Sequence, residues 1–96
     1  MSTELAAFDP ALPHRLAESV SLRPEPFGAL VYDYATRKLS FLKTPLLVRV
    51  VESLEHQPDV HATLVAAGVP AADHPRYLGA LAGLAASGAI APRHAG

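Results

Sequence analysis

Histidine is the first residue type to test for chemistry in this sequence, because imidazole binds metal ions and transfers protons near neutral pH. Two ligands on one helix need a spacing of three or four residues, which places both side chains on one face. The histidines at positions 56 and 61 are five residues apart, with Pro58 between them. The sequence therefore predicts no metal site among its five histidines, which are His14, His56, His61, His74 and His94.

Residues for covalent or acid–base catalysis are equally hard to find. The chain has no cysteine, so it has neither a thiol nucleophile nor a disulfide framework. It contains no phosphate-binding glycine loop and no His-Glu-x-x-His motif. Glu52 and Glu55 fall on the polar side of a predicted helix, where carboxylates are usually solvated. The sequence therefore predicts a protein that is not an enzyme and that holds no cofactor of its own.

Length and charge exclude further classes. The 96 residues are enough for one domain. Eight Lys and Arg against nine Asp and Glu give a net charge of −1, whereas a non-specific nucleic-acid binder or a protein of anionic membranes needs a basic excess. The longest uncharged apolar stretch, residues 77–92, is shorter than a membrane span, and the N-terminus does not resemble a signal peptide. We therefore expect a cytoplasmic protein with no nucleic-acid or membrane partner.

The first half of the chain shows the alternation of apolar and polar residues that is typical of strands. The alternating runs lie at residues 19–23, 29–34 and 38–41. Pro24 and Pro26 are unfavourable inside a central strand, which predicts that residues 23–27 form the first connection. Residues 35–37 form the second. The pattern predicts a three-stranded antiparallel meander whose third strand is an edge.

The period becomes helical after Lys43. Thr44 is a good N-cap and Pro45 suits the first helical position. Asp59 predicts the start of a second helix that Gly68 ends, and a third helix is predicted from about Asp73 to residue 87. These elements predict an α+β, winged-helix-like fold, in which a three-stranded antiparallel sheet is followed by three helices. We expect a flexible arm at residues 1–14, the domain at residues 15–91 and a tail at residues 92–96.

The predicted edge strand is the first candidate for a binding site. It offers a row of free backbone N–H and C=O groups to a partner strand, which would be a peptide or a second copy of the chain. Its two lysines, Lys38 and Lys43, also fit the alternative that they only protect the edge from aggregation. Ser40 is the position at which proline would remove an outward N–H; a register shifted by one residue would assign that role to Leu39 or Phe41.

The predicted third helix is the second candidate. Gly79 and Gly83 lie on one nearly bare side of it, and each glycine costs roughly 1 kcal/mol relative to alanine in a helix. Two of them on one side suggest that another element or a bound peptide approaches the backbone there. A winged-helix DNA-binding regulator, the alternative function, would carry several basic or amide side chains on this helix, but only Arg76 is present.

Two segments carry a resemblance to a known family. The sequences Leu-Arg-Pro-Glu-Pro-Phe-Gly-Ala-Leu-Val-Tyr at residues 22–32 and Thr-Arg-Lys-Leu-Ser-Phe-Leu-Lys at residues 36–43 resemble the mycofactocin biosynthesis chaperones. This MftB family belongs to the PqqD-like elements that recognise the precursors of ribosomally synthesised, modified peptides. The resemblance covers about residues 16–90.

The resemblance implies a non-catalytic peptide chaperone. Such domains bind the leader of a ribosomal precursor peptide as an added strand and present it to a radical S-adenosylmethionine (SAM) maturase. The iron–sulfur clusters and the SAM would be bound by that enzyme, because this chain has no ligands for them. The implied groove has one wall on the third strand and one on the third helix; its residues are Arg37, Lys38, Leu39, Ser40, Phe41, Leu42, Lys43, Arg76, Tyr77, Gly79, Ala80 and Gly83. The side of the third helix that bears Gly79 and Gly83 is an alternative surface for the enzyme. The loop at residues 23–27 is another, with the alternative that the loop is a plain strand connection and the ring of Phe27 lies in the core.

Overall fold

Five short strands and three helices make up the fold in the computed structural model, which describes residues 8–93. The strands are β1 (His14–Leu16), β2 (Val20–Glu25), β3 (Gly28–Asp33), β4 (Lys38–Leu42) and β5 (Ile90–Pro92). The helices are α1 (Pro45–Ser53), α2 (Val60–Ala66) and α3 (His74–Ser87), with single 3₁₀ turns at Leu54–His56 and Ala71–Asp73. The predicted α+β class is confirmed, and "winged-helix-like" describes the arrangement only loosely.

The predicted meander is present, with strand order β2-β3-β4 and antiparallel pairing throughout. Its first connection is shorter than predicted. β2 continues through Pro24 to Glu25, so that the turn consists of Pro26 and Phe27 alone. Pro24 is accommodated because β2 is an edge strand, where a residue without an N–H leaves no neighbour unpaired.

The second turn joins β3 to β4 and depends on the side chain of Asp33. Its carboxylate accepts hydrogen bonds from the Ser19 hydroxyl (2.8 Å), the Ala35 amide (2.9 Å) and the Thr36 amide (3.4 Å). The Ser19 hydrogen bond, supported by those two amides, holds the pKa of Asp33 below its usual value. Arg37 ends the turn with a φ of 63°, in the left-handed region. The charged carboxylate therefore fixes the turn that leads into β4.

The lowered pKa of Asp33 predicts a pH-dependent contribution to stability. A carboxyl group whose pKa is lowered by folding stabilises the native state above its unfolded pKa of about 3.9, and the contribution disappears as the pH falls through the folded-state pKa. We expect Asp33→Asn to melt at a lower temperature than the wild type at pH 7, and the difference to close below about pH 4. Thermal unfolding followed by circular dichroism between pH 7 and pH 2 measures it. A difference that persists unchanged at pH 2 would contradict this role.

The two faces of the sheet have different partners. Ala29, Val31 and Leu42 lie on the inner face, which is buried against the helices. Alternation over residues 38–41 predicts a core position for Leu39 and Phe41, and this prediction is wrong: both side chains lie on the outer face and are 54% and 53% exposed. The sheet therefore buries Ala29, Val31 and Leu42 and carries Leu39 and its aromatic side chains on the outer face.

The helix boundaries follow the predicted capping residues closely. The Thr44 hydroxyl accepts from the Leu47 amide (3.0 Å) at the start of α1, and the Asp59 carboxylate accepts from the Ala62 amide (2.8 Å) at the start of α2. Gly88 ends α3 in the left-handed conformation, with a φ of 85°. These caps fix where α1 and α2 begin and where α3 ends.

A small ribbon, which the sequence did not predict as a strand pair, holds together the two ends of the described chain. β1 pairs antiparallel with β5, so that His14 faces Pro92. Arg93 reinforces the ribbon, because its guanidinium donates to the backbone oxygens of His14 and Gln57. Residues 1–7 of the predicted arm and residues 94–96 of the predicted tail lie outside the described residues. Residues 8–14 lie against the domain, where the ring of Phe8 packs beside His14.

Candidate peptide-binding site

The outer edge of β4 has no strand partner within residues 8–93, because the sheet order ends there. The position of Pro24 in β2 determines which backbone amides of β4 point outward. Pro24 has no N–H, so its pair with Ala29 cannot be a hydrogen-bonded one, and paired residues alternate between the two types. Ala29 therefore directs its backbone groups at β4 instead, and so do Val31 and Asp33.

The same alternation assigns the backbone groups of β4. Ser40 is opposite Val31, so its N–H and C=O bond to β3. Leu39 and Phe41 direct theirs away from the sheet, towards the free edge. The prediction that the N–H of Ser40 points outward is therefore wrong, and the register shifted by one residue, with Leu39 and Phe41 outward, is the right one. The free edge offers the N–H and C=O groups of Leu39 and Phe41 to an added strand.

A cleft of about 550 Å³ opens beside the C-terminal end of β4. The start of α1 forms its floor, and the N-terminal two-thirds of α3 forms the opposite wall. Its lining is mostly apolar, with two cations, and consists of Phe41, Leu42, Lys43, Thr44, Leu47, Arg76, Tyr77, Ala80 and Leu84. A volume of this size lies within the range of ligand sites. The cleft can therefore receive apolar side chains from a strand that is added to β4.

The structure brings together six of the twelve predicted site residues in this cleft, and places the other six outside it. Those in the cleft are Phe41, Leu42, Lys43, Arg76, Tyr77 and Ala80. Those outside its lining are Arg37, Lys38, Leu39, Ser40, Gly79 and Gly83. Thr44, Leu47 and Leu84 line the cleft but were not predicted. The sequence pattern explains Thr44 as a helix cap and predicts Leu47 and Leu84 to lie on apolar helix stripes that face the core. Only the placement of α1 relative to α3 shows that all three also line a cleft.

The face of α3 that forms the cleft wall is the one bearing Arg76, Ala80 and Leu84. Gly79 and Gly83 lie beside this face and are exposed. A Cβ atom built on either glycine would meet no atom within 4 Å. No element of the described chain approaches the helix there, so intramolecular packing does not explain the two glycines.

Alanine at either glycine is therefore expected to stabilise the domain. Gly79→Ala and Gly83→Ala each remove the conformational freedom of a mid-helix glycine without a steric clash, which should raise the free energy of unfolding by about 0.5–1 kcal/mol. Urea unfolding of each single variant measures the gain. A loss of stability in either variant would contradict this expectation, because it would mean that other atoms approach the glycine in solution and clash with the added methyl group.

The charges around the site are mainly positive. Lys43 and Arg76 line the cleft, and Arg37 and Lys38 lie at the start of β4. Arg76 forms an exposed ion pair with Asp73 (3.2 Å), and Asp33, which is paired with Lys38 across β3 and β4, accepts hydrogen bonds within its own turn. The local field therefore favours an anionic ligand segment.

The four histidines within residues 8–93 do not form a second site. The ring of His14 is buried and contacts the backbone oxygen of Leu12 (2.9 Å), and the ring of His74 contacts that of Val69 (2.9 Å). His94 lies outside the described residues. Within residues 8–93, no three potential metal ligands gather, and no helix is long and apolar enough to cross a membrane.

Comparison with known proteins identifies the family. The model of the peptide chaperone MftB family matches residues 13–91. The peptide chaperone MftB of Mycobacterium ulcerans (strain Agy99) is 51% identical over 89 residues, which cover 93% of this chain and 82% of that protein. The peptide chaperone MftB of Mycolicibacterium smegmatis is 48% identical over 95 residues, which cover 96% and 93%. That of Mycobacterium tuberculosis (strain H37Rv) is 48% identical over 86 residues, which cover 90% and 79%.

No solved structure matches the chain significantly. The relatives are named as chaperones, and a chaperone's role is not catalytic, which confirms the prediction that the chain is not an enzyme. Because the family match spans nearly the whole of the described domain and about half of the aligned residues are identical, this chain belongs to the peptide chaperone MftB family.

Proposed function

We propose that this chain is a non-catalytic peptide chaperone of mycofactocin biosynthesis. It binds the leader of the ribosomal precursor peptide as a fourth strand on β4, in the cytoplasm, and presents the peptide to a radical SAM maturase. The observation that carries the proposal is the position of the cleft, which lies directly beside the free edge of β4. The family name supports the peptide partner.

The edge and the cleft divide the task of recognition. The N–H and C=O groups of Leu39 and Phe41 make up to four backbone hydrogen bonds, each worth about 0.5–1.5 kcal/mol net. That is about 2–6 kcal/mol in total, less than the roughly 8 kcal/mol of a micromolar complex even before the cost of ordering the peptide. Apolar side chains buried in the cleft, at about 1.5–3 kcal/mol each, supply the remainder. The strand therefore sets the register and the cleft supplies the specificity.

The local charge selects the kind of peptide. Arg37, Lys38, Lys43 and Arg76 favour a leader with acidic residues beside its apolar ones, mainly by speeding its approach. The same charges oppose pairing of β4 with a second copy. A two-fold pairing that matches Leu39 to Phe41 would place Arg37 directly opposite Lys43, and like charges opposite each other destabilise a strand pair. The free edge is thus kept available for the peptide.

Titration of the isotope-labelled domain with the precursor peptide encoded beside its gene tests the proposal. We expect saturable amide shifts at Leu39, Phe41 and Lys43 and along residues 76–84 of α3. Affinity should fall only mildly with salt, whereas DNA binding would fall steeply. A folded domain whose amides do not shift, or shift only around α2, would contradict strand addition.

A further inference from the structure

The outer face of the sheet exposes a continuous apolar patch. It consists of Phe27, Leu30, Tyr32, Tyr34, Leu39 and Phe41, which we call the outer patch. The pairing register places Leu30 beside Phe41 and Tyr32 beside Leu39. The rings of Phe27 and Phe41 are 6.2 Å apart, and those of Tyr32 and Tyr34 are 5.0 Å apart. The patch spans β3, β4 and both turns, and none of the helices covers it.

The exposure of the patch is large for a domain of this size. Phe27 is 44% exposed and Tyr34 is 62% exposed, so neither ring lies in the core. At about 150–250 Å² per aromatic side chain, the exposed apolar area is on the order of 500 Å². Patches of this size on a monomer commonly mark an interaction site. A stable complex usually buries about 800 Å² on each partner, so the outer patch alone falls short of a permanent dimer interface.

Leu39 and Phe41 connect the outer patch to the peptide site. Their side chains belong to the patch, and their backbone groups form the free edge of β4. A peptide strand added to β4 would therefore extend the outer face, since every second side chain of the peptide would lie beside Leu39 or Phe41. The loaded domain would present a larger apolar surface than the free one, made partly of chaperone and partly of peptide.

Charge is sparse on the β2 side of the outer patch, whereas Arg37, Lys38 and Lys43 flank its β4 side. On the β2 side, Arg23 and Glu25 form an ion pair (3.3 Å) that leaves no net charge, and the polar atoms nearby are hydroxyl groups, such as that of Tyr34, which accepts from Ser21 (3.3 Å). This is unlike the basic edge of β4. The partner of the outer patch is therefore an apolar protein surface rather than an acidic segment.

We propose that the outer patch is the docking surface for the enzyme that acts on the bound peptide, and that the enzyme binds chaperone and peptide together. The proposal rests on the proposed function for the identity of both the peptide and the enzyme. Its consequence is cooperative binding, because an enzyme that contacts both components binds the loaded domain more tightly than the free one.

The test uses the immobilised full chain and the purified radical SAM maturase encoded beside its gene. Enzyme affinity is measured with and without a saturating concentration of the precursor peptide. We expect the loaded domain to bind at least about fivefold more tightly. The double variant Phe27→Ser, Tyr34→Ser should bind the enzyme about tenfold more weakly, because exposed aromatic anchors dominate such contacts. Its affinity for the peptide should stay within about twofold of the wild type, since neither residue lines the cleft.

Val65→Ser is the matched control, because Val65 is also an exposed apolar residue (69%) but lies on α2, away from the sheet. It should change neither affinity. Full enzyme affinity in the double variant would overturn the docking surface, and equal affinity for free and loaded domain would overturn the shared contact. A wild-type dimer that the double variant converts to a monomer would also overturn the proposal, by showing that a second copy covers the patch.

Failure of the proposed function gives a different result. A wild-type domain that does not bind the peptide contradicts the chaperone proposal directly. The docking surface would still be supported in that case if the double variant weakened enzyme binding to the peptide-free domain.

Discussion

Proline at position 39 is expected to abolish peptide binding while the domain stays folded. The N–H of Leu39 points to the free edge, so the substitution removes no hydrogen bond of the native sheet. Pro24 already occupies the other edge strand without disrupting it. The proline ring would project towards the added strand and remove one of its donors, so we expect peptide affinity to fall at least about tenfold. Calorimetric titration measures the affinity, and circular dichroism checks the fold.

Two further variants make this result specific. Leu39→Ala removes the side chain but keeps the N–H, so it should retain most of the peptide affinity. Ser40→Pro removes the hydrogen bond to β3 and leaves the buried C=O of Val31 without its donor, which should cost at least about 1–3 kcal/mol of stability. A stable Ser40→Pro protein that has lost binding, together with normal binding by Leu39→Pro, would show that the register is shifted by one residue.

Filling the cleft should block the peptide as effectively as capping the edge. Ala80 is exposed, lines the cleft and lies on a regular helix, so a larger side chain can be placed there without disturbing the core. We expect Ala80→Trp to occupy much of the space meant for the peptide's apolar side chains. Peptide affinity should fall at least about tenfold, equivalent to about 1.4 kcal/mol, with the melting temperature nearly unchanged.

Ala86→Trp is the matched control for this substitution. Ala86 is likewise an exposed alanine of α3, but it lies outside the cleft lining. The control variant should bind the peptide like the wild type. Equal affinities for the peptide in the two tryptophan variants would mean that the cleft does not receive it.

Local patterns predicted most of the elements because caps and alternation are local properties. Thr44, Asp59 and Gly88 fix helix ends through contacts within three or four residues, which the sequence displays directly. The ribbon of β1 and β5 was missed because three-residue strands are too short to show alternation, and because its pairing joins distant parts of the chain.

The site was predictable only in part, for two physical reasons. If a sheet is assumed to carry apolar side chains on its buried face alone, Leu39 and Phe41 are predicted to lie in the core. This sheet has apolar side chains on both of its faces, so that assumption fails. Leu47 and Leu84 line the cleft only because of how α1 and α3 are placed relative to each other. A residue at the edge of the buried face of a helix can also line a cleft between two helices, and the sequence does not show this. By contrast, Lys43 was found because a cation beside an exposed edge is visible in sequence, whereas Arg76 was assigned to the groove by the family resemblance.

The ribbon of β1 and β5 also bears on the order in which the domain assembles. The meander and the helices form from neighbouring residues, whereas the hydrogen bond from Arg93 to His14 closes a separation of 79 residues. Closing a long loop costs entropy that only later contacts recover, so the ribbon is expected to form last. β5 follows α3 directly through Gly88, and it therefore fixes the end of the helix that forms the cleft wall. A chain in which β1 and β5 have not yet paired would offer the edge of β4 without a finished cleft, so we expect the proposed peptide site to be complete only after the ribbon has formed.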